Sequence, residues 1–289
     1  MQVITGTTQL LGVIGDPVQH SLSPVMHNAA IAQLGLDLVY VPLPVRAADL
    51  TTALAGFTAI GLRGFNVTIP HKQTILPLLS EVSTVAQAIG AVNTVWPTAT
   101  GWAGTNTDAA GFIAPLKSLA RDWSAVPVLI LGHGGAARAV VAGCCTLGCR
   151  EIWVAGRRAE KLAQFEASWQ GSPYAERVRV LPWSALATVL SQTRLVVNAT
   201  PLGLATDGEA TPLTAAELAS LPGGAIAYDL IYRPRPTRWL RLAQAQGCLS
   251  LDGAEMLVQQ GAAALQLWLD QPVPVQAMRE ALWARLAAD

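Results

Sequence analysis

The chain has 289 residues, and nineteen Lys+Arg balance nineteen Asp+Glu for a formal net charge of zero. Only 13% of residues are charged and 52% are hydrophobic, against roughly 25% charged in a typical soluble domain. This excludes a disordered chain, which needs low hydrophobicity and high charge, and argues against a nucleic-acid partner, because no basic field is present to meet phosphates.

A mean hydropathy of +0.38 raises the question of a membrane. No stretch reaches the ~18 consecutive apolar residues of a spanning helix. The longest oily runs, Val126–Leu131 and Ile226–Ile231, are short and bounded by Gly, Pro or charge. They read as parallel strands buried on both faces. The start of the chain lacks the basic n-region and long h-region of a signal peptide. Cys144, Cys145, Cys149 and Cys248 form no C-x-x-C pair. Reduced, buried thiols in a cytoplasmic protein are expected.

In chain order, Leu10–Gly15 reads as a strand, Pro24–Leu34 as a helix, Val39–Leu43 as a strand and Ala47–Ala55 as a helix. Gly64–Ile69 is a strand closed by Pro70. Asn93-Thr94 and Asn106-Thr107-Asp108 fall in loops. A junction is expected within Thr107–Trp123. A second series follows. It comprises strands at Val128–Leu131, Glu151–Ala155, Val178–Leu181, Leu195–Asn198 and Ala225–Leu230. Its helices run from the glycine turn to Leu147, over Arg158–Gln170 and over Thr237–Gln246. Gly253–Leu269 and Val275–Leu286 are two terminal helices. This βα rhythm predicts an α/β fold with mostly parallel sheet, in two closely packed domains. A cleft between such domains is a common place for a ligand.

Gly132-His133-Gly134-Gly135-Ala136-Ala137-Arg138 joins a strand to a helix, the context of a dinucleotide-binding turn. Gly132 permits the tight turn, Gly134 lets backbone approach a pyrophosphate, and the helix N-terminus offers N–H groups. An ordinary tight βα turn is the plainer alternative. The next strand ends in Gly156-Arg157-Arg158, with Lys161 one turn on. An NAD site usually places a carboxylate there for the ribose 2′-OH. Two arginines instead suit a 2′-phosphate, so NADP is the expected cofactor.

In the first series, polar residues gather where strands end: Ser21 and Ser23, Asn66 and Thr68, Lys72, Asn93 and Asp108. Alternation puts Asn66 and Thr68 on one face. Such a set suits a small, polyhydroxylated, anionic ligand. Singly, each has a plain structural reading. Ser23 before Pro24 would cap a helix, Asn93 and Asn106 would be turn residues, Lys72 would be a surface lysine, and Asp108 would cap the following helix.

Together these segments resemble the shikimate dehydrogenase family. They are Gly15-Asp16-Pro17 through His27-Asn28, Asn66-Val67-Thr68-Ile69-Pro70-His71-Lys72, Gly90-Ala91-Val92-Asn93-Thr94 and Asn106-Thr107-Asp108. Asn198-Ala199-Thr200-Pro201-Leu202-Gly203, Tyr228-Asp229-Leu230-Ile231-Tyr232 and Met256 through Gly261 belong to the same set. The motifs stand in the family's order and cover nearly the whole chain.

The resemblance implies NADPH-dependent reduction of 3-dehydroshikimate to shikimate in aromatic amino-acid biosynthesis. It implies an N-terminal α/β substrate domain, residues 1–108 plus 249–289, to which the C-terminal helices return. It also implies a Rossmann-like NADP-binding domain, residues 109–248. Carried over by motif, Ser21, Ser23 and Tyr232 would hold the substrate carboxylate. Thr68, Asn93, Asp108 and Gln260 would bind ring hydroxyls, and Asn66 would line the pocket. Lys72 would be catalytic, paired with Asp108. For NADP the resemblance points to Gly132, His133, Gly134, Gly135, Ala136, Arg157, Arg158, Lys161, Asn198, Thr200, Leu230 and Gly253. No metal is implied.

Three positions depart from the family pattern. His133 stands where a small residue is usual and is expected to point away. Gly156, also placed in the cofactor site, stands where Asn is frequent, leaving the phosphate to the arginines. Gln259 beside Gln260 leaves open which of the two faces the substrate. Three rival readings stand beside this one: a broader quinate/shikimate dehydrogenase, a non-catalytic sensor, and a folate-pathway dehydrogenase. The basic Gly156-Arg157-Arg158 opposes the NAD use frequent in the first. The presence of both Lys72 and Asp108 opposes the second. The Ser-x-Ser-Pro and Asn-Thr-Asp set opposes the third. Apolar surplus beyond two buried sheets would suit a homodimer surface, which composition does not locate.

Overall fold

The computed structural model describes residues 3–204 and 209–288. The chain divides into two compact units, residues 1–111 with 257–289, and residues 112–256.

The first unit is built on a six-stranded sheet. Its elements are β1 (Gln9–Gly15), α1 (Ser23–Gln33), β2 (Leu38–Pro44), α2 (Leu50–Ala59), β3 (Gly64–Val67), α3 (His71–Thr74), β4 (Glu81–Val82), α4 (Thr84–Ile89), β5 (Thr94–Thr98) and β6 (Gly101–Thr105). Helix α5 (Asp108–Lys117) then continues across the junction into the second unit. The strand order is β2-β1-β3-β5-β6-β4. β1 is parallel to β2 and β3, as its two βα connections require. β4 is parallel to β6, so the sheet is mostly parallel as expected, and β5 is the exception. β5 runs antiparallel to both β3 and β6, the latter as a hairpin. Pro97 and a Thr/Gly-rich turn hide this hairpin, because Pro cannot donate to a ladder. Thr94 accordingly opens a strand rather than sitting in a loop.

The second unit carries β7 (Val128–Leu131), α6 (Gly135–Leu147), β8 (Ile152–Gly156), α7 (Ala159–Ala167), β9 (Val178–Pro182), α8 (Ala187–Leu190), β10 (Leu195–Asn198), α9 (Ala215–Ala219), β11 (Ile226–Asp229), α10 (Arg238–Ala245) and β12 (Leu249–Leu251). Its sheet is parallel throughout, in the order β12-β11-β10-β7-β8-β9. The oily runs are explained by two-sided burial. Val128 and Ile130 of β7 enter one core, and Leu129 and Leu131 enter the other. Alternation within β10 and β11 divides Val197 from Val196, and Tyr228 from Ala227, in the same way. A strand covered on both faces needs no polar alternation.

Helices α11 (Ala254–Leu269) and α12 (Val275–Ala287) complete the chain. α12 packs on α1 in the first unit. The compact units and the expected domains part the chain at different places, because β12 pairs with β11 and so belongs to the second sheet. Other bounds shift by a few residues. The helix expected over Ala47–Ala55 is a 3-10 turn followed by α2, which runs on to Ala59 because exposed Gly56 does not interrupt it. β3 ends at Val67, so Thr68 and Ile69 lie beyond it. Arg158 precedes α7 as its N-cap, and that helix stops at Ala167. Ser23 is inside α1 and does not cap it. All four cysteines are buried and free. Among the described residues no helix is long and apolar enough to cross a membrane.

Candidate active site

A buried polar network occupies the first unit at the ends of β1 and β3. Its anchor is Asn93, in the turn before β5. The Asn93 amide donates to Asp108 Oδ1 at 2.8 Å, Thr107 Oγ1 at 2.9 Å and Gln260 Oε1 at 3.2 Å. Its oxygen accepts from Thr107 N at 2.7 Å and Thr94 Oγ1 at 3.0 Å. Asn66 extends the chain of bonds, donating to Asn93 O and Thr94 Oγ1 and accepting from Tyr40 Oη at 2.7 Å. The Ser23 hydroxyl is hydrogen-bonded to Tyr40 as well. Ser23, Asn66, Asn93, Asp108 and Gln260 are all buried. Buried polar atoms satisfied this fully fix side-chain positions.

Lys72 Nζ forms an ion pair with Asp108 Oδ2, with side chains 17% and 7% exposed. Local structure sets both partners. His71 Nε2 donates to Val45 O at 2.6 Å, and Val92 N donates to Lys72 O at 2.8 Å, which pins the short α3. Asn106 Oδ1 accepts from Asp108 N at 3.0 Å and holds the start of α5. Asp108 thus opens the helix while its carboxylate serves the network. Ser21 Oγ accepts from Ser23 N at 3.3 Å, and Thr68 is half-buried just beyond β3. Gln260 joins Asn93, and Gln260 Nε2 is held by Leu257 O at 2.9 Å. Tyr232 lies in the second unit.

Sequence reasoning missed Tyr40, Thr94 and Thr107. The signal available was Tyr40 itself, since a buried phenol in an aliphatic strand needs a partner for its hydroxyl. An open groove of about 570 Å³ along Gln9, Phe57, Arg63, Thr98 and Trp102 shares no residue with the network.

In the second unit, Gly132 adopts φ +102° between β7 and α6, a conformation L side chains rarely take. The N-terminus of α6 has no side-chain cap, which leaves its N–H groups available to an anion. The Arg157 and Arg158 side chains are exposed and make no hydrogen bond or ion pair with any described residue. Lys161 donates to Gln164. These features fit a dinucleotide phosphate. The His133 ring packs against Gly156, where no side chain competes for the space.

The Asn198 amide shapes its own loop. It donates to Leu202 O and Asp229 Oδ1, and its oxygen accepts from Thr200 N and Oγ1. Asp229 also accepts from Ile231 N and Thr237 Oγ1, so one carboxylate ties β10, β11 and α10 together. Burial pushes the Asp229 carboxyl up to about 6, although these three donors pull the other way.

Gly253 faces the backbone of Leu230: a Cβ added there would overlap the Leu230 carbonyl oxygen. Backbone cannot rotate aside as a flexible side chain can. Gly253→Ala is therefore expected to cost about 1–3 kcal/mol or more. Thermal unfolding of the variant checks this, and an unchanged midpoint contradicts it.

His27 stacks on Tyr40 with ring centroids 4.0 Å apart, and its Nδ1 donates to Ser23 O at 2.8 Å. Burial lowers its pKa from 6.5 to about 4, against smaller opposing effects of backbone hydrogen bonds. Below pH 6.5 the unfolded chain takes up a proton that the folded chain refuses. This site alone thus withdraws about 3 kcal/mol of stability as pH falls through that window. Asp229 acts oppositely, since its folded carboxyl takes up a proton before the unfolded one does. The direct check is NMR titration of the His27 ring, which is expected to remain neutral at about pH 5; a ring already protonated there contradicts the account.

Comparison with known proteins follows the same lines. The model of the shikimate dehydrogenase substrate binding domain matches residues 13–95. That of the shikimate 5'-dehydrogenase C-terminal domain matches residues 253–282. The chain is 57% identical over 282 residues to the shikimate dehydrogenase (NADP(+)) of Gloeothece citriformis, covering 98% of each. The chain belongs to the shikimate dehydrogenase family.

Among solved structures, the shikimate 5-dehydrogenase of Thermus thermophilus in complex with NADP(H) and shikimate is 36% identical. It superposes with a TM-score of 0.83, covering 96% of this chain and 99% of that one. The quinate dehydrogenase of Corynebacterium glutamicum in complex with NAD is 32% identical, with a TM-score of 0.86 over 96% and 99% of the two chains. The fold is thus common to proteins named for different substrates and cofactors, and specificity has to be argued from side chains.

Proposed function

We propose that this protein is an NADP-dependent shikimate dehydrogenase. It reduces 3-dehydroshikimate reversibly to shikimate, a step of chorismate and aromatic amino-acid biosynthesis. The observation that carries this reading is the Lys72–Asp108 ion pair, set in a network of Asn66, Asn93 and Gln260. The first unit is the substrate unit and the second the cofactor unit. NADPH, when bound, supplies the hydride.

The residues do the rest. Reduction of a ketone develops negative charge on its oxygen, and a cation within hydrogen-bond reach stabilises that charge and supplies the proton. Lys72 takes this role and accepts the proton in reverse. Asp108 orients the ammonium and receives a ring hydroxyl. Asn93, Thr68 and Gln260 read further hydroxyls, and Asn66 lines the pocket. Ser21 and Ser23 hold the carboxylate, with Tyr232 assisting. Gly132 to Ala136 approach the pyrophosphate, while Arg157, Arg158 and Lys161 meet the 2′-phosphate. Thr200, Leu230 and Gly253 complete the cofactor set, and Asn198 holds the loop that carries Thr200. A cytoplasmic location suits four buried free thiols.

The test is loss of NADPH absorbance on adding 3-dehydroshikimate, with shikimate identified as product. No turnover overturns the reading. In the Ser21→Ala/Ser23→Ala variant KM for shikimate is expected to rise, and an unchanged KM contradicts the carboxylate assignment.

A further inference from the structure

Backbone binding of a pyrophosphate does not explain the side chain of His133. Its ring occupies the space above Gly156, where an added Cβ would stand 2.6 Å from His133 Cδ2 and 2.9 Å from Leu162 Cδ2. The imidazole therefore takes the volume that a side chain at 156 would fill at the end of β8. It remains partly open to solvent. Arg158 and Lys161, which follow β8, lie near enough to act on it electrostatically. The Arg157 and Arg158 side chains are exposed without hydrogen-bond or ion-pair partners among the described residues, and the nearby Glu160 accepts from Gln164. Three basic side chains and an imidazole thus gather at the start of α7, where the helix dipole by itself favours negative charge.

We propose that the His133 side chain contacts the 2′-phosphate of NADP, standing in for the polar side chain that Gly156 lacks, and makes NADP affinity depend on pH. This rests on the cofactor reading above. Partial burial, and then the charges of Arg158 and Lys161, hold the free imidazole below its usual pKa. It is thus a neutral hydrogen-bonding group near neutral pH. A dianionic phosphate favours the imidazolium, so NADP binding takes up a proton and strengthens as pH falls from about 8 to about 6. NAD, without that phosphate, has no such dependence. The free ligand phosphate ionises near pH ~6, identically for wild type and variant, so proton uptake measured well above that pH, where the phosphate is already dianionic, reports the imidazole.

The experiment is calorimetric titration of the full chain with NADP and with NAD across this pH range. Two buffers of different ionisation enthalpy yield both Kd and proton uptake. His133→Gln is expected to lower the NADP-to-NAD affinity ratio about tenfold and to abolish the added proton uptake. Gly156→Ala, which displaces the ring, is expected to move both in the same direction and serves if the first variant does not fold. A variant that keeps the wild-type ratio and proton uptake overturns the proposal. A lower ratio with unchanged proton uptake also overturns it, because His133 would then only position the turn. Wild-type protein that binds NADP no tighter than NAD at any pH overturns this proposal and the cofactor reading together.

Discussion

Lys72→Met is expected to lower kcat for shikimate oxidation by about 10²–10⁴-fold, the usual loss when a positioned acid–base group is removed. Methionine keeps the length of the stem and removes only the ammonium. KM should change far less, because Asn93, Gln260 and the serines still hold the ligand. Removing the ammonium also leaves Asp108 buried without its partner. An unpaired buried carboxylate is destabilising, so the unfolding midpoint must be measured beside kcat. A loss of kcat in a variant that remains folded at the assay temperature supports the assignment. A folded variant with near wild-type kcat removes Lys72 from the chemistry.

The second large effect concerns cofactor choice. Arg157→Ala/Arg158→Ala is expected to lower kcat/KM with NADP by about 10²–10⁴-fold, as each charge-assisted bond to phosphate contributes roughly 1.5–3 kcal/mol. The same change should leave kcat/KM with NAD within a few-fold. The prediction is sharp because neither arginine side chain has another hydrogen-bond or ion-pair partner among the described residues. Their removal leaves no protein group stranded, so folding should be little altered. Equal losses with both cofactors would place the arginines outside the phosphate site.

The two units were unequally legible in the sequence. The strand–glycine turn–helix of β7 and α6 is written plainly, because a doubly buried strand must be apolar and the turn at Gly132 requires glycine. The first unit hid more. Pro97 and the Thr/Gly composition concealed the β5–β6 hairpin, and with it the reason Asn93 and Thr107 face each other. Tyr40 read as one more strand residue, although its hydroxyl is what links Asn66 to Ser23. Spacing alone leaves Gln259 and Gln260 equivalent. The turn of α11 brings Gln260 to Asn93, a contact that spacing does not reveal. His133 shows the converse limit: only three-dimensional packing reveals that its ring and the missing side chain at Gly156 belong together.

Few charges are present in this chain, and the proposed function uses several of them: Lys72 and Asp108 for proton transfer, Arg157, Arg158 and Lys161 for cofactor phosphate. The most direct test of that claim is a single steady-state comparison of kcat/KM for shikimate and quinate, each with NADP and with NAD. Shikimate with NADP is expected to exceed the other three combinations by at least about tenfold, a margin of roughly 1.4 kcal/mol in transition-state binding. Comparable values for quinate, or for NAD, would contradict it.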